Sequence, residues 1–599
     1  MTTHDIEAPS GRAGMSHAGD HRATALARLA IGFVQGVGLW ALFRAWGVDG
    51  DAVKAWPATE PQLFGPMVLV CAFLPIVLLA GVGKLRLRTL AIWGGVAAIV
   101  LALLAWHDIA RQSPATDEPL LSVSLLAFGA AALFIAHHLI VPADRERRWI
   151  APFPTYFDAA WMAGVQLVLS LGFTGAFWLL LLLGAALFNI IGLSFLGDLI
   201  AKSWFFLPVT GLAFATAVQL TDVRDGLIRG VRAVVLMLLS WLLLVMTVLV
   251  AGFLVALPFT GLDGLWETGS ATALVLAAAG ALIVLINTAY QDGRSDNLPP
   301  AVLRIAVRVA SVLLTPLIGI AFWGLALRIG QHGLTPDRII AVACALVGTA
   351  YAAGYGLGAL APFVRKGSPW MKPLERTNII TAVLEVVVIL ALFTPLADPA
   401  RLSVADQMAR LERGAVAPDR FDYHFLQSSS GKVGQAALAR LAASDNAAIA
   451  DPARAAQAGE LLPDPVTEQT FKPVIGTLPG APALPDAFLQ VVNGPVDPRL
   501  SCAAAGDCLA ALGPAVGFPD GDILLVQAGG VSLFSEDAEY GTYWLEGAFN
   551  PVVCGDASPV DPRDLLRQGK LKAAENSRPA LDTGSGVSSD LVAHEPPKC

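Results

Sequence analysis

Apolar windows of about 20 residues, the length that crosses a hydrocarbon core as a helix, recur eleven times between Thr24 and Phe393 and then cease. A chain patterned this way has far more apolar surface than one aqueous core can cover, so a single soluble globule is excluded. Composition agrees. Hydrophobic residues make up 55% and charged residues only 15%, against about 45–50% and 25% in soluble proteins. The expected spans are residues 24–46, 61–82, 89–106, 119–141, 159–197, 204–221, 233–258, 269–290, 303–327, 339–363 and 378–393. The fifth holds no charge over 39 residues. As one helix it would be about 58 Å long against a core of about 30 Å. A long helix is therefore expected to end near Leu193, followed by an interfacial piece around Asp198 and Lys202.

Basic residues in the connecting segments set an orientation, because Lys and Arg are retained on the cytoplasmic side. With the amino terminus inside, the inner segments carry Arg12 and Arg22; Lys84, Arg86 and Arg88; Arg145, Arg147 and Arg148; Arg224, Arg229 and Arg232; Arg294 and Arg304; and Arg365, Lys366, Lys372 and Arg376. That is seventeen, against six outside: Arg44, Lys54, Arg111, Lys202, Arg328 and Arg338. An odd number of spans then exports everything after residue 394. Residues 1–394 hold 25 basic and 22 acidic side chains and the remainder 15 and 26. The acidic tail thus has no electrostatic footprint for nucleic acid.

Four of the six cysteines, Cys502, Cys508, Cys554 and Cys599, lie in that tail. An oxidising compartment suits them, and the short Cys502 to Cys508 gap favours a local disulfide. A zinc site competes with that reading, but no histidine or CxxC pair stands at ligand spacing. The tail reads as an α+β unit: helical patterns over 401–414 and 432–443, an alternating strand over 421–427, and an antiparallel meander from Asp522. The expected organisation is a disordered cytoplasmic arm 1–23, an all-α transmembrane bundle 24–394 of about eleven helices, a periplasmic α+β domain 395–574 and a disordered tail 575–599.

Three motifs carry a resemblance. They are Leu257-Pro-Phe-Thr-Gly-Leu-Asp-Gly-Leu-Trp-Glu-Thr-Gly269, Asn287-Thr-Ala-Tyr-Gln-Asp-Gly293 and Leu327-Arg-Ile-Gly-Gln-His-Gly-Leu-Thr-Pro-Asp-Arg338. Together with Arg420-Phe-Asp-Tyr-His-Phe-Leu-Gln-Ser-Ser-Ser-Gly-Lys-Val-Gly-Gln-Ala-Ala-Leu438, they resemble the uncharacterised bacterial membrane family known as domain of unknown function 4153, from Leu26 to about Leu441. The resemblance implies a bacterial inner-membrane address and no activity.

Glu385 is the sharpest single residue, because a carboxylate inside a span is costly unless paired, protonated or wet. Arg304 and Arg308, spaced i,i+4, are its expected partners, with Arg28 third. The pair would either fix helix register or form part of a proton relay. Gln35, Gln166, Asn189 and Asn287 are interhelical glue or cavity ligands. Gly32 with Gly36, and Gly354 with Gly358, have close-packing spacing. In the exported loop, Trp266 is an interfacial belt residue, or Asp263, Trp266 and Glu267 together hold a sugar or cation. His137 and His138 face different sides of a helix and lack a third ligand. Asp520-Gly-Asp522 is read as a turn. No P-loop, GxGxxG after a strand, HExxH or supported GxSxG occurs. No catalytic residue, metal or cofactor is therefore expected. The bilayer and a periplasmic partner are the expected contacts. An envelope scaffold or sensor leads, with a secondary transporter and a membrane glycosyl- or lipid-transferase as alternatives.

Overall fold

The structure is a computed structural model that describes residues 11–47, 54–113, 120–261, 271–294, 298–364, 369–459, 475–493, 508–527, 530–537, 542–549, 561–571, 581–582 and 588–589. It divides into two compact units, residues 1–462 and 463–599.

Among the described residues, the first unit begins with twelve helices: α1 Gly11–Trp46, α2 Pro61–Gly81, α3 Leu87–Ala110, α4 Val123–Glu146, α5 Phe153–Ile190, α6 Phe195–Ile200, α7 Ser203–Val223, α8 Asp225–Thr260, α9 Ala271–Tyr290, α10 Ala301–His332, α11 Pro336–Val364 and α12 Pro373–Leu392. Ten of them contain apolar stretches long enough to cross a membrane. Their outer faces fit this: Leu179, Leu180, Val248 and Leu357 are 67–70% exposed, an apolar surface suited to lipid. α12 is the eleventh span expected from the sequence. It is shorter and carries Glu375, Arg376 and Glu385, yet it runs the length of the bundle. Its first turn meets the end of α9, where Tyr290 bonds Glu375, and Phe393, just past its last turn, packs on Phe128 near the start of α4.

The uncharged stretch resolves as expected into the long α5, a turn at Gly192 with φ +81° and the short α6. The amino-terminal arm differs from expectation. α1 is already helical from Gly11, because Pro9 is the last helix breaker before the span and nothing after it interrupts the ladder. Small residues let α1 and α7 touch. Gly32 faces the carbonyl oxygen of Gly211, and Gly36 faces Leu207 and Pro208, with no room for a β-carbon at either position. This is the close approach that the Gly32/Gly36 spacing predicts.

Three further helices, α13 Pro399–Glu412, α14 Gly431–Ala442 and α15 Ala447–Ala458, share a core of Val404, Met408, Phe421, Leu426, Leu438 and Ala453. They belong to the first unit, so the compact division falls after residue 462 and not at 395. The strand expected over 421–427 is absent. Asp422 accepts from the Phe425 amide at 2.8 Å and turns the chain, so Phe421, Tyr423 and Leu426 all reach the core without a sheet.

The second unit is a five-stranded sheet in the order β1-β2-β3-β4-β5, formed by β1 Ile475–Thr477, β2 Cys508–Leu512, β3 Ile523–Gln527, β4 Gly530–Asp537 and β5 Thr542–Phe549. β1 pairs parallel with β2, β2 pairs antiparallel with β3, and β3, β4 and β5 form the antiparallel meander expected from Asp522. Helix α16 Asp486–Asn493 closes one face through Phe488, stacked edge-on against Phe534 and Tyr543. The helices α17 Gly513–Val516 and α18 Pro562–Arg567 cover the other, with Val516 and Leu566 against Leu524 and Val526. Within the expected disordered tail, Leu581–Asp582 pairs antiparallel with Ser588–Ser589.

Candidate functional site: a polar seam inside the bundle

One face of α12 carries Glu375, Asn378, Thr381 and Glu385, spaced three to four residues apart and therefore aligned. α11 presents Tyr351 and Tyr355, one turn apart, and α9 presents Asn287 and Tyr290. These residues meet in three rungs. At the helix ends, Tyr290 donates to Glu375 Oε1 at 3.0 Å, and Lys372 Nζ donates to the same oxygen at 2.8 Å. In the second rung, Asn287 Nδ2 donates to Tyr355 Oη, Tyr355 donates to Asn378 Oδ1, and Asn378 Nδ2 donates back to Asn287 Oδ1, each at 2.7 Å. The ring is closed and directional. Deepest, Tyr351 donates to Glu385 Oε1 at 3.0 Å.

Glycine makes the seam possible. Gly354 lies so close against Thr377 that a β-carbon would overlap it, and Gly358 faces Met371. α11 and α12 thus approach closely enough for tyrosines on one to reach an asparagine and a carboxyl on the other. Ring packing of Tyr351 on Tyr355 at 5.5 Å between centroids spans the two inner rungs.

The expected partners of Glu385 are elsewhere. Glu385 stands twelve residues beyond Pro373, about 18 Å along its helix, whereas Arg308 is only seven beyond Ala301, about 10 Å. α12 packs mainly against α11 and α4. Arg28, 1% exposed, is held by Asp222 at 2.7 Å, Gln219 at 2.8 Å and the Val82 carbonyl at 2.8 Å. Lys84 lies 3.3 Å from Asp222 and bonds Gln166 at 3.0 Å. This second network ties α1, α5 and α7 at one end of the bundle. In the sequence Asp222 reads as a loop residue just beyond the apolar run of α7, so nothing there marks it as a partner for Arg28.

A third polar cluster stands at the opposite end. Asp108 accepts from Arg111 at 2.7 Å and from the Ser122 amide at 2.7 Å. Asp398, which caps α13 through the Ala400 amide, lies 3.4 Å from His107 and 3.5 Å from Arg111. Beside it, Arg410 donates to the Ile329, Gly330 and Gln331 carbonyls at 3.4, 3.2 and 2.9 Å. Gln407 donates to the His332 and Leu334 carbonyls at 3.0 and 3.1 Å, and Asp406 accepts from the Leu334 amide at 2.8 Å. The orphan carbonyls that end α10 are thus satisfied by side chains of α13. The Lys432 amide donates to the Arg111 carbonyl at 3.0 Å. Gly431, at φ +57°, leaves no space there for a side chain.

Asn287 and Gln166 act as interhelical bonds, and Gln35 donates to the Ala72 carbonyl at 2.9 Å. His137 Nδ1 accepts from the Trp93 indole at 3.1 Å. No cluster of three potential metal ligands occurs among the described residues. Asp263, Trp266 and Glu267 lie outside the described residues, as does Cys502. Cys508 is buried at the start of β2, where its sulfur accepts from Gln527 Nε2 at 3.4 Å.

In the second unit, a groove of about 630 Å³ is lined by Pro482, Pro485, Asp520, Asp522, Glu536 and Tyr543 among others. Burial, with Glu536 and Asp522 close by, pushes the Tyr543 hydroxyl above the usual phenol range. Hydrogen bonding from Arg563 holds the Asp561 carboxyl, the cap of α18, below the usual carboxylate range.

A bundle of apolar helices with lipid-facing flanks and a docked helical cap defines a multi-pass membrane protein. Residues 67–441 match the family described as domain of unknown function (DUF4153), and the chain belongs to it. The matched stretch runs from within α2 to the last turn of α14, so it takes in most of the bundle and the docking part of the cap. No curated protein and no solved structure matches the chain.

Proposed function

We propose that this protein is a sensor or scaffold of the bacterial envelope, anchored in the inner membrane by its bundle, with the cap and the sheet unit in the periplasm. The observation that carries this reading is the docking of α13 on the carbonyl end of α10 through Arg410 and Gln407. Six backbone groups of the bundle are held by one cap helix, counting the Leu334 amide on Asp406. A pull or a bound partner felt by the cap is thereby passed to the helices. The acidic, proline-lined groove of the sheet unit is the partner surface in this reading. A disulfide from Cys502 to Cys508 would staple the entry to β2.

A second reading, secondary transport, is favoured by Glu385, whose carboxyl accepts from the Tyr351 hydroxyl and has no cation as a partner among the described residues. A transferase would depend on Asp263 and Glu267. Chains ending after Leu462 separate the first two readings. If the protein is a sensor or scaffold, the shortened chain inserts normally yet fails to rescue a deletion strain. Full rescue by the shortened chain, combined with loss of rescue by Glu385→Gln in the full chain, would replace the sensor reading with transport.

A further inference from the structure

We propose that the Arg304–Arg308 edge of α10 binds the phosphate of an acidic phospholipid headgroup. The two arginines are one turn apart, their backbone positions about 5 and 10 Å along the helix from Ala301. On one side of them Ile305, Val309 and Val312 are exposed, and on the other Leu303, Val307 and Ala310 are buried. The arginines therefore stand, half-buried, at the border between the bundle and lipid. The Nε of each is sealed from solvent and has no hydrogen-bond partner.

Among the described residues, the carboxylates at this end have other partners. Asp144 holds Arg86, Asp158 holds Arg232, Asp222 holds Arg28 and Lys84, and Glu375 holds Lys372. Asp292 accepts from the Arg294 amide. Nor does the neighbouring helix supply an anion. Gly348 packs on Ile318, and Gly356 lies near Thr315. That antiparallel register brings Arg308 level with Leu360 and Arg304 level with Val364, which are 52% and 80% exposed apolar residues.

Two cations at this depth require a counter-ion. A guanidinium pairs in a bidentate fork with phosphate, and its stem reaches toward the headgroup layer while remaining on apolar surface. A lipid fits better than free phosphate, because its acyl chains would lie along Ile305, Val309 and Leu360. This site stands apart from the polar seam and holds whether the bundle senses or transports.

The test uses the full chain in detergent, with phosphatidylglycerol, phosphatidylcholine and inorganic phosphate added separately and adducts counted by native mass spectrometry. Wild type should retain phosphatidylglycerol selectively. The double variant Arg304→Gln/Arg308→Gln should bind it about thirtyfold more weakly, the loss expected for two headgroup contacts. Arg308→Lys, which keeps the charge and removes the fork, should fall between them and covers the case in which the double variant fails to fold. Three results would overturn the site: undiminished binding in the variants that fold, equal retention of phosphatidylcholine, or displacement of the lipid by inorganic phosphate alone.

Discussion

Tyr351 donates its hydroxyl to Glu385 at 3.0 Å across the α11–α12 contact, so a carboxyl deep in the bundle is met by a phenol and not by a guanidinium. Tyr351→Phe removes the donor and leaves the acid without a partner, which costs about 1–3 kcal/mol for a buried polar group. Glu385→Gln keeps an acceptor and should cost less. Thermal unfolding of the purified variants should therefore rank Tyr351→Phe below Glu385→Gln. The reverse order would mean that the hydroxyl does not hold the carboxyl.

Gly354 is a contact point and Gly95 is not: the first abuts Thr377, while nothing lies within 4 Å of where a β-carbon would sit on the second. Gly354→Ala should destabilise the bundle by about 1–3 kcal/mol through overpacking. Gly95→Ala, in a helix interior, should be neutral or stabilising by up to about 1 kcal/mol. Equal effects in a melting experiment would deny that α11 and α12 depend on this contact.

Much of the bundle was legible because span length and charge exclusion are properties of single segments. Ten of the eleven apolar runs correspond to described helices long and apolar enough to cross a membrane, and the break after the long α5 falls close to Leu193, as expected. Partnerships were not legible. Glu385 stands out by its cost, but its partner depends on which helix lies beside α12, and charge alone points to arginines where the partner is a tyrosine. Docking of the cap was invisible for another reason: Arg410 and Gln407 bind backbone carbonyls, which every residue has, so no complementary side chain flags the contact. In 421–427, apolar residues at alternating positions satisfied a turn as well as they would a strand.

Arg410 closes the end of α10 by donating to three successive carbonyls. Arg410→Ala should release them to water and loosen the cap. Hydrogen exchange in the full chain should then rise in peptides covering 399–412 and in the amides of 331–335 that follow the freed turn, with peptides of α3 and α7 unchanged. Arg410→Lys should recover part of the protection, because an ammonium donates without the fork. Unchanged exchange in the Ala variant would show that apolar packing alone seats the cap.

Asp561 caps α18 through the Arg563 amide at 2.9 Å, and hydrogen bonding from Arg563 holds its carboxyl below the usual carboxylate range. A depressed carboxylate pKa contributes stability that is complete above the unfolded value and is lost as pH falls through the folded one. Exchange protection of 562–567, corrected for intrinsic rates, should thus stay level above about pH 5 and decline below about pH 4. Asp561→Ala should remove about 1 kcal/mol of capping and abolish that decline. A variant with the same acid response as wild type would place its origin elsewhere.

The two ends of the bundle can be told apart by what they touch. Arg111, Ile329 to Leu334 and Asp398 meet the cap, whereas Arg28, Lys84, Asp222, Tyr290 and Glu375 gather at the other end. In the proposed orientation the six sparse basic residues belong to the exported segments and the seventeen to the retained ones, as expected if positive charge is held in the cytoplasm. Fusions at three positions should show it. A reporter active only in the cytosol should be active when inserted after Arg147 and silent after Gly414 and at the carboxyl terminus, while an export-dependent reporter should give the opposite pattern. Cytosolic activity at the carboxyl terminus alone would leave the bundle's orientation intact and return the sheet unit to the inside. Cytosolic activity after Gly414, with silence after Arg147, would invert the whole bundle and remove the basis for a periplasmic partner.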